Sequence, residues 1–194
     1  MDPDKYRPAF LENPIPEEAW EPDVAAQIAQ VKEHTGFVPN VFTTLARRPD
    51  EFRAFFAYHD ALMSKESGLS KAEREMIVVA TSSGNSCLYC VVAHGAILRI
   101  RAKNPRIADQ VAINYRSAEL SERERAICAF AIKLAQSPGE LDETDYAELH
   151  AQGLSDDDIW DVGAITAFFA LSNRMASLTQ MAPNSEFYAL GRNA

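Results

Sequence analysis

Apolar residues recur along this chain at intervals of three and four, the spacing that lines one face of a helix. After Pro22, Val24, Ile28 and Val31 mark a first helix that runs to Thr35-Gly36. A short helix follows Pro39 within 37–48, and Pro49-Asp50 opens a longer one. That third helix carries Phe52, Phe55, Phe56, His59 and Leu62 along one side and stops near Ser67-Gly68. His59 lies in the aromatic stripe and reads as a packed core or rim residue.

Three later segments begin alike. Leu69-Ser70-x-x-Glu73, Leu120-Ser121-x-x-Glu124 and Leu154-Ser155-x-x-Asp158 each place a serine, then an acid three residues on, before an apolar run. This is the reciprocal capping pattern of a helix N-terminus. It is open to two readings, a common way to start a helix or a duplicated helical hairpin. With no alternating strand pattern between these starts, both readings give an all-α protein.

Further helices are expected over 107–115, over 121–136 with Ile127, Phe130, Ala131 and Leu134 inward, and over 142–152. The last long one, 155–181, is apolar on nearly every side from Val162 to Leu171, so it must be covered all round, by the bundle centre, a subunit interface or both. Residues 21–181 thus form one all-α domain. Residues 1–20, with Pro3, Pro8, Pro14 and Pro16, read as an extended arm held by Tyr6, Phe10 and Trp20, and 182–194 as a loose or docked tail.

Composition narrows the setting. A chain of 194 residues suits one domain with a real core. A net charge of −9 repels a phosphate backbone, so no nucleic-acid partner is expected. The basic cluster Arg99, Arg101, Lys103 and Arg106 reads as a helix end, where cations offset the dipole. Three unevenly spaced cysteines make no disulfide framework, and the first residues lack an apolar leader. A reducing cytoplasm is expected, without a membrane span.

The chemistry concentrates in Glu75 to His94. Gly84-Asn85-Ser86 interrupts an apolar run, and Ser86 is a plausible cap for a helix reaching Arg101. Cys87, Cys90 and His94 then fall within an arc of roughly 60°. Helix-terminus electrostatics favour Cys87 as the more acidic thiol, whereas a histidine at i+4 favours Cys90. Glu75, on the preceding helix, could orient that histidine.

The spacing Glu75-x11-Cys87-x2-Cys90-x3-His94 resembles the signature of AhpD-like alkylhydroperoxidases. These lie within the carboxymuconolactone decarboxylase-like family, and the chain is similar to its peroxidase-related branch. Val38-Pro39-Asn40-Val41-Phe42, the Leu69-Ser70 helix entry and Phe168 to Arg174 are similar too. The resemblance implies an AhpD-like helical bundle and antioxidant peroxidase activity. It makes Cys90 the thiolate that attacks peroxide, Cys87 its disulfide partner, and His94 with Glu75 a proton relay. Only Cys90 has a proton donor beside it at helical spacing, which favours the same assignment.

The redox-active Cys87/Cys90 disulfide then takes the place of a cofactor. The implied partners are a peroxide, a dithiol reductant carried by a lipoyl-bearing protein, and further copies of the chain in a trimer or hexamer. Better-known members carry a second histidine between the cysteines; here that place is Tyr89, a phenol of pKa about 10 that donates a hydrogen bond but is a poor base. Asn173 and Arg174, following the apolar segment, could reach the active-site helix.

Two alternatives remain at this level. Cys87, Cys90 and His94 could hold zinc with a fourth ligand from Cys128 or another subunit, although Cys128 reads mainly as a small buried hydrophobe. The fold could also serve as a lactone decarboxylase or an assembly module without redox chemistry.

Overall fold

The structure, a computed structural model, describes Leu11 and residues 14–192. Tyr6 and Phe10 of the expected arm lie outside the described residues. The α-helices are α1 (Pro22–Thr35), α2 (Asn40–Leu45), α3 (Pro49–Met63), α4 (Lys71–Gly84), α5 (Leu88–Ala102), α6 (Ile107–Asn114), α7 (Glu122–Gln136), α8 (Glu143–Ala151), α9 (Asp156–Leu178) and α10 (Ser185–Ala189). No strand occurs among the described residues. The all-α expectation holds.

Local chemistry sets these boundaries. Gly36, at φ +84°, ends α1 in the left-handed conformation that glycine adopts without steric cost. Capping boxes close at Ser70, Ser121 and Ser155 as the sequence indicates; at the first, Ser70 Oγ accepts from the Glu73 N–H at 3.1 Å while Glu73 Oε2 accepts from the Ser70 N–H at 2.7 Å. A fourth box, Asp142 with Asp145, starts α8.

The packing centres on α4, which contacts α5, α6, α7 and α9. One of its faces joins Ile77 and Val78 to Ile127, Phe130, Val162, Ile165 and Phe169. The opposite face joins Met76 and Val79 to Leu98, Val111, Tyr115 and Cys128. Each such side chain, fully buried, contributes about 1.5–3 kcal/mol. A polar cluster crosses the first core: buried Arg74 donates to the Leu62 carbonyl at 2.6 Å, to Ser67 Oγ and to Asp161 at 3.2 Å, and Lys65 reaches Asp161 at 2.7 Å.

Within the chain, α9 is covered on its inner side. Trp160, Ala167, Leu171 and Leu178 stay exposed within an arc of about 40°, while Val162, Ile165 and Phe169 are buried.

Arg99 lies in the last turn of α5, as the sequence indicates, and is buried there, only 4% exposed. Its Nε donates to the Leu190 carbonyl at 2.9 Å and its Nη2 to the Phe187 carbonyl at 2.8 Å. Phe187 to Leu190 are therefore docked, with α10 against α5. Gly191 completes the seat at φ +73°, where an added Cβ would stand 2.8 Å from Arg99 Cβ. Asn184 holds the other end: its Oδ1 accepts from the Asn40 N–H at 2.8 Å and its amide donates to the Val38 carbonyl at 2.9 Å.

Candidate active site

The link between α4 and α5 shapes the site. Ser86 does not cap α5, because it is engaged in ending α4. It takes φ +56°, its N–H donates to the Ser83 carbonyl, and the Cys87 N–H donates to the Ser82 carbonyl, both at 2.9 Å. This paired pattern is the Schellman motif, with a serine at the position glycine usually fills. Cys87 itself becomes the N-cap of α5. Its sulfur sits at the mouth of the first turn, where unpaired N–H groups favour negative charge.

Cys87 and Cys90 are free thiols, respectively 2% and 1% exposed, in a small core with Tyr89, Ala93, Ala96, Ala176 and Phe187. Their sulfurs hydrogen-bond one another, and that contact sets their acidity. Cys90 donating to Cys87 pulls the Cys87 thiol down to about 6, helped by the backbone N–H of Cys90, the Asn173 amide and the N–H of Tyr89. Cys90 is pushed well up, because its proton is held in the bond to Cys87, burial disfavours its charge, and a second charge would form beside the first. Ser172 Oγ, 3.8 Å from Cys90 Sγ, opposes that rise.

Glu75, on α4, meets His94, on α5. His94 Nδ1 lies 2.8 Å from Glu75 Oε2, and both side chains are largely buried. A carboxylate there accepts the Nδ1 proton and leaves Nε2 as the basic nitrogen. Phe169 packs edge-on to the imidazole at 4.7 Å between centroids.

Beside this pair lies a cavity of about 270 Å³. Cys90, His94, Tyr89 and Ser172 line it together with Phe42, Phe55, Phe56, Phe169 and Phe187; Cys87 does not. One sulfur thus faces the cavity and the other lies behind it. Tyr89 is 5% exposed, and its hydroxyl oxygen accepts from the Val41 N–H at 3.0 Å. Burial raises its pKa, so the phenol keeps its proton.

All the residues singled out from the sequence, Glu75, Cys87, Tyr89, Cys90 and His94, come together here. Asn173 joins them, bonding Ser82 Oγ at 2.9 Å and Asn85 at 3.0 Å. Arg174 does not: it is exposed and donates to the Ala170 carbonyl of its own helix. The sequence offered Ser172 only as part of the Phe168 to Arg174 likeness, and His59 only as a packed core or rim residue. Ser172 reaches the site from the buried run of α9, and His59 from α3 shares the cavity wall.

Cys128 packs among Met76, Leu98 and Tyr115, in a different core from the paired cysteines, and burial pushes its thiol up to about 12. It supplies no fourth zinc ligand. Among the described residues no group of three His, Cys, Asp or Glu side chains is arranged to hold a metal, and no helix is long and apolar enough to cross a membrane.

Residues 49–133, which contain Glu75, both cysteines of the pair and His94, match the carboxymuconolactone decarboxylase family. The AhpD-core, peroxidase-related protein of Ralstonia eutropha JMP134 is 57% identical over 92% of this chain and 94% of its own, with a TM-score of 0.90. A peroxidase-related protein of Silicibacter sp. TM1040 is 37% identical over 99% of both chains, also at 0.90. The debrominase Bmp8, 23% identical over 87% of this chain and 89% of its own with a TM-score of 0.74, shares the fold. No curated protein matches the chain.

Proposed function

The chain belongs, as an AhpD-like member, to the carboxymuconolactone decarboxylase family, and from that premise we propose that it is a thiol-dependent peroxidase acting in antioxidant defence. One observation carries this reading. Of two hydrogen-bonded thiols, only Cys90 opens onto the apolar cavity, on the wall that also presents His94 fixed by Glu75.

The chemistry follows from that arrangement. The pair shares one proton when ionised, and passing it from Cys90 to Cys87 or His94 exposes a thiolate to the cavity, with Ser172 as hydrogen-bond donor. Cys90 sulfur attacks the terminal oxygen of a hydroperoxide; an S–O bond forms, the O–O bond breaks, and the leaving alkoxide takes the proton given up by the thiol. His94 carries that proton. Cys87 then attacks the sulfenic acid, closing a disulfide and releasing water. An external dithiol restores both thiols by exchange, becoming a disulfide itself.

The family likeness points to a lipoyl-bearing protein as that reductant. It also points to a homo-oligomer, trimer or hexamer, for which the uncovered stripe of α9 is the natural contact. Spacings of seven, four and seven between Trp160, Ala167, Leu171 and Leu178 fit a helix seam between copies.

Brief exposure of the reduced protein to an organic hydroperoxide, followed by peptide mass spectrometry, tests the proposal. The expected product is a Cys87–Cys90 bridge in the native sequence and a trapped sulfenic acid on Cys90 in Cys87→Ser. If Cys90→Ser and Cys87→Ser both turned over hydroperoxide like the native protein, no thiol mechanism would survive.

A further inference from the structure

Sulfur chemistry does not account for every polar group in the cavity. His59 enters it from α3, and its Nδ1 lies 2.9 Å from Asp60 Oδ1. With a carboxylate accepting at Nδ1, the ring proton sits there and Nε2 keeps its lone pair. Phe56, Phe168 and Phe169 surround the ring at centroid distances of 6.5, 6.1 and 6.3 Å. Burial among them is the main cause that lowers the pKa of His59, which favours the neutral, accepting form.

His59 also has a fixed relation to the reaction centre. Its ring and that of His94 pack against the same Phe169, so the two imidazoles flank one phenyl group on the cavity wall. Tyr89 adds a complementary group. Its oxygen is occupied by the Val41 N–H, and its own proton has no acceptor among the described residues. Besides the Cys90, His94 and Ser172 centre, the wall therefore presents an acceptor in His59 and a donor in Tyr89, set among aromatic rings with Gln27 and Asp60 as its further polar side chains.

A hydroperoxide matches that pair of demands. Its terminal O–H donates, and the oxygen bonded to carbon accepts. The volume, about nine waters' worth, leaves space for a compact organic group against Phe42, Phe55 and Phe56, which hydrogen peroxide would leave wet.

We propose that His59 is a substrate-binding residue, whose Nε2 accepts the hydrogen bond from the terminal O–H of a compact organic hydroperoxide while Tyr89 donates to the oxygen that will leave. This rests on the peroxidase reading above. In the reaction the terminal oxygen passes to Cys90 as S–O–H, its hydrogen still held by His59, and the carbon-bound oxygen departs with the bonding electron pair and the proton from His94. Sulfur is oxidised and the O–O bond reduced. His59 itself gains and loses nothing.

The test compares His59→Phe, which keeps the bulk and removes the acceptor, with His59→Gln, whose amide oxygen can still accept. Turnover of cumene hydroperoxide is measured alongside the affinity of reduced protein, by titration, for the alcohol 2-methyl-2-phenyl-1-propanol, an unreactive isostere in which a CH2 replaces the carbon-bound oxygen and the terminal O–H is kept. For His59→Phe the expected result is about a tenfold rise in KM and about a tenfold weaker alcohol affinity, with iodoacetamide labelling of the cysteines unchanged. His59→Gln should recover most of both. His59→Leu serves if the phenylalanine variant does not fold.

Native KM and native alcohol affinity in the folded variants would overturn the proposal. If no form of the protein consumes hydroperoxide, yet alcohol affinity depends on His59 in this way, the binding role stands and the peroxidase reading falls.

Discussion

Glu75 and His94 come from different helices and meet through one hydrogen bond, Oε2 to Nδ1 at 2.8 Å. The carboxylate fixes the ring's tautomer and direction, so its contribution passes through the histidine. Glu75→Gln should lower hydroperoxide turnover about a hundredfold, at the low end of what general acid–base groups supply. The double variant Glu75→Gln/His94→Ala should be no slower than His94→Ala alone, because two residues acting as one unit are not additive. Steady-state peroxide consumption with a dithiol measures both.

The shared proton between Cys87 and Cys90 has a pH signature. A thiol held below its ordinary value gains charge earlier as pH rises, so alkylation of the reduced pair should climb through about pH 6 rather than near 9.0. Below that midpoint it should fall about tenfold per pH unit. Cys90→Ala removes the S–H that donates to Cys87, and the midpoint should move upward. Iodoacetamide labelling across pH, read by mass spectrometry, follows the shift; an unmoved midpoint would exclude Cys90 as its main cause.

Asn173 ties the end of α4 to α9 beneath the sulfurs. In Asn173→Ala, Ser82 Oγ and the Asn85 amide lose buried partners, for a stability loss of about 1–3 kcal/mol. For a chain of this length that lowers Tm by about 2–4 °C per kcal/mol. The alkylation midpoint should also rise, since the amide helps hold Cys87 down. Calorimetry and the same labelling experiment report the two effects separately.

Asp161 is 1% exposed and meets both Arg74 and Lys65. Asp161→Asn leaves Arg74 as a buried charge without its counterion, at a cost of about 3–5 kcal/mol. Urea unfolding should show the loss as a lower midpoint. Turnover well below the new melting temperature should be unchanged, because the cluster lies outside the cavity wall.

On α9, Leu171→Glu places a charge in the middle of the exposed apolar stripe, where Leu171 is 53% exposed. A seam between copies would not tolerate it. Light scattering should show the assembly shifted to smaller species with helical circular dichroism retained, whereas an unchanged mass would exclude this face as the contact.

Most of the helical layout was legible because its signals are local. The serine–acid boxes at Ser70, Ser121 and Ser155, the prolines at 22 and 49 and the glycine at 36 act on their own neighbours. The core of the site was legible for a related reason: Cys87, Cys90 and His94 share one helical turn-count, and Glu75 sits at a short fixed remove. What escaped depends on distant chain segments. His59 read as a packed core or rim residue and Ser172 as one member of a family-like run, without a role for either; they matter because both line the cavity beside α5. Ser86 was misread because its serine suits a cap, while its backbone is committed to closing the previous helix. Arg99 was rightly placed at a helix end, but its docking role was hidden because its partners are carbonyl groups about ninety residues onward.

Gly191 has no side chain and does not line the cavity, yet it packs against the anchor of a residue that does, Phe187. Its bare backbone rests on Arg99, and that seat holds Phe187 in place as one side of the chamber. An added Cβ there would meet Arg99, Ile100 and the Ala96 carbonyl, so α10 would have to shift against α5. One position remote from Cys90 and His94 thus bears on the shape of the chamber through the ring that Arg99 anchors.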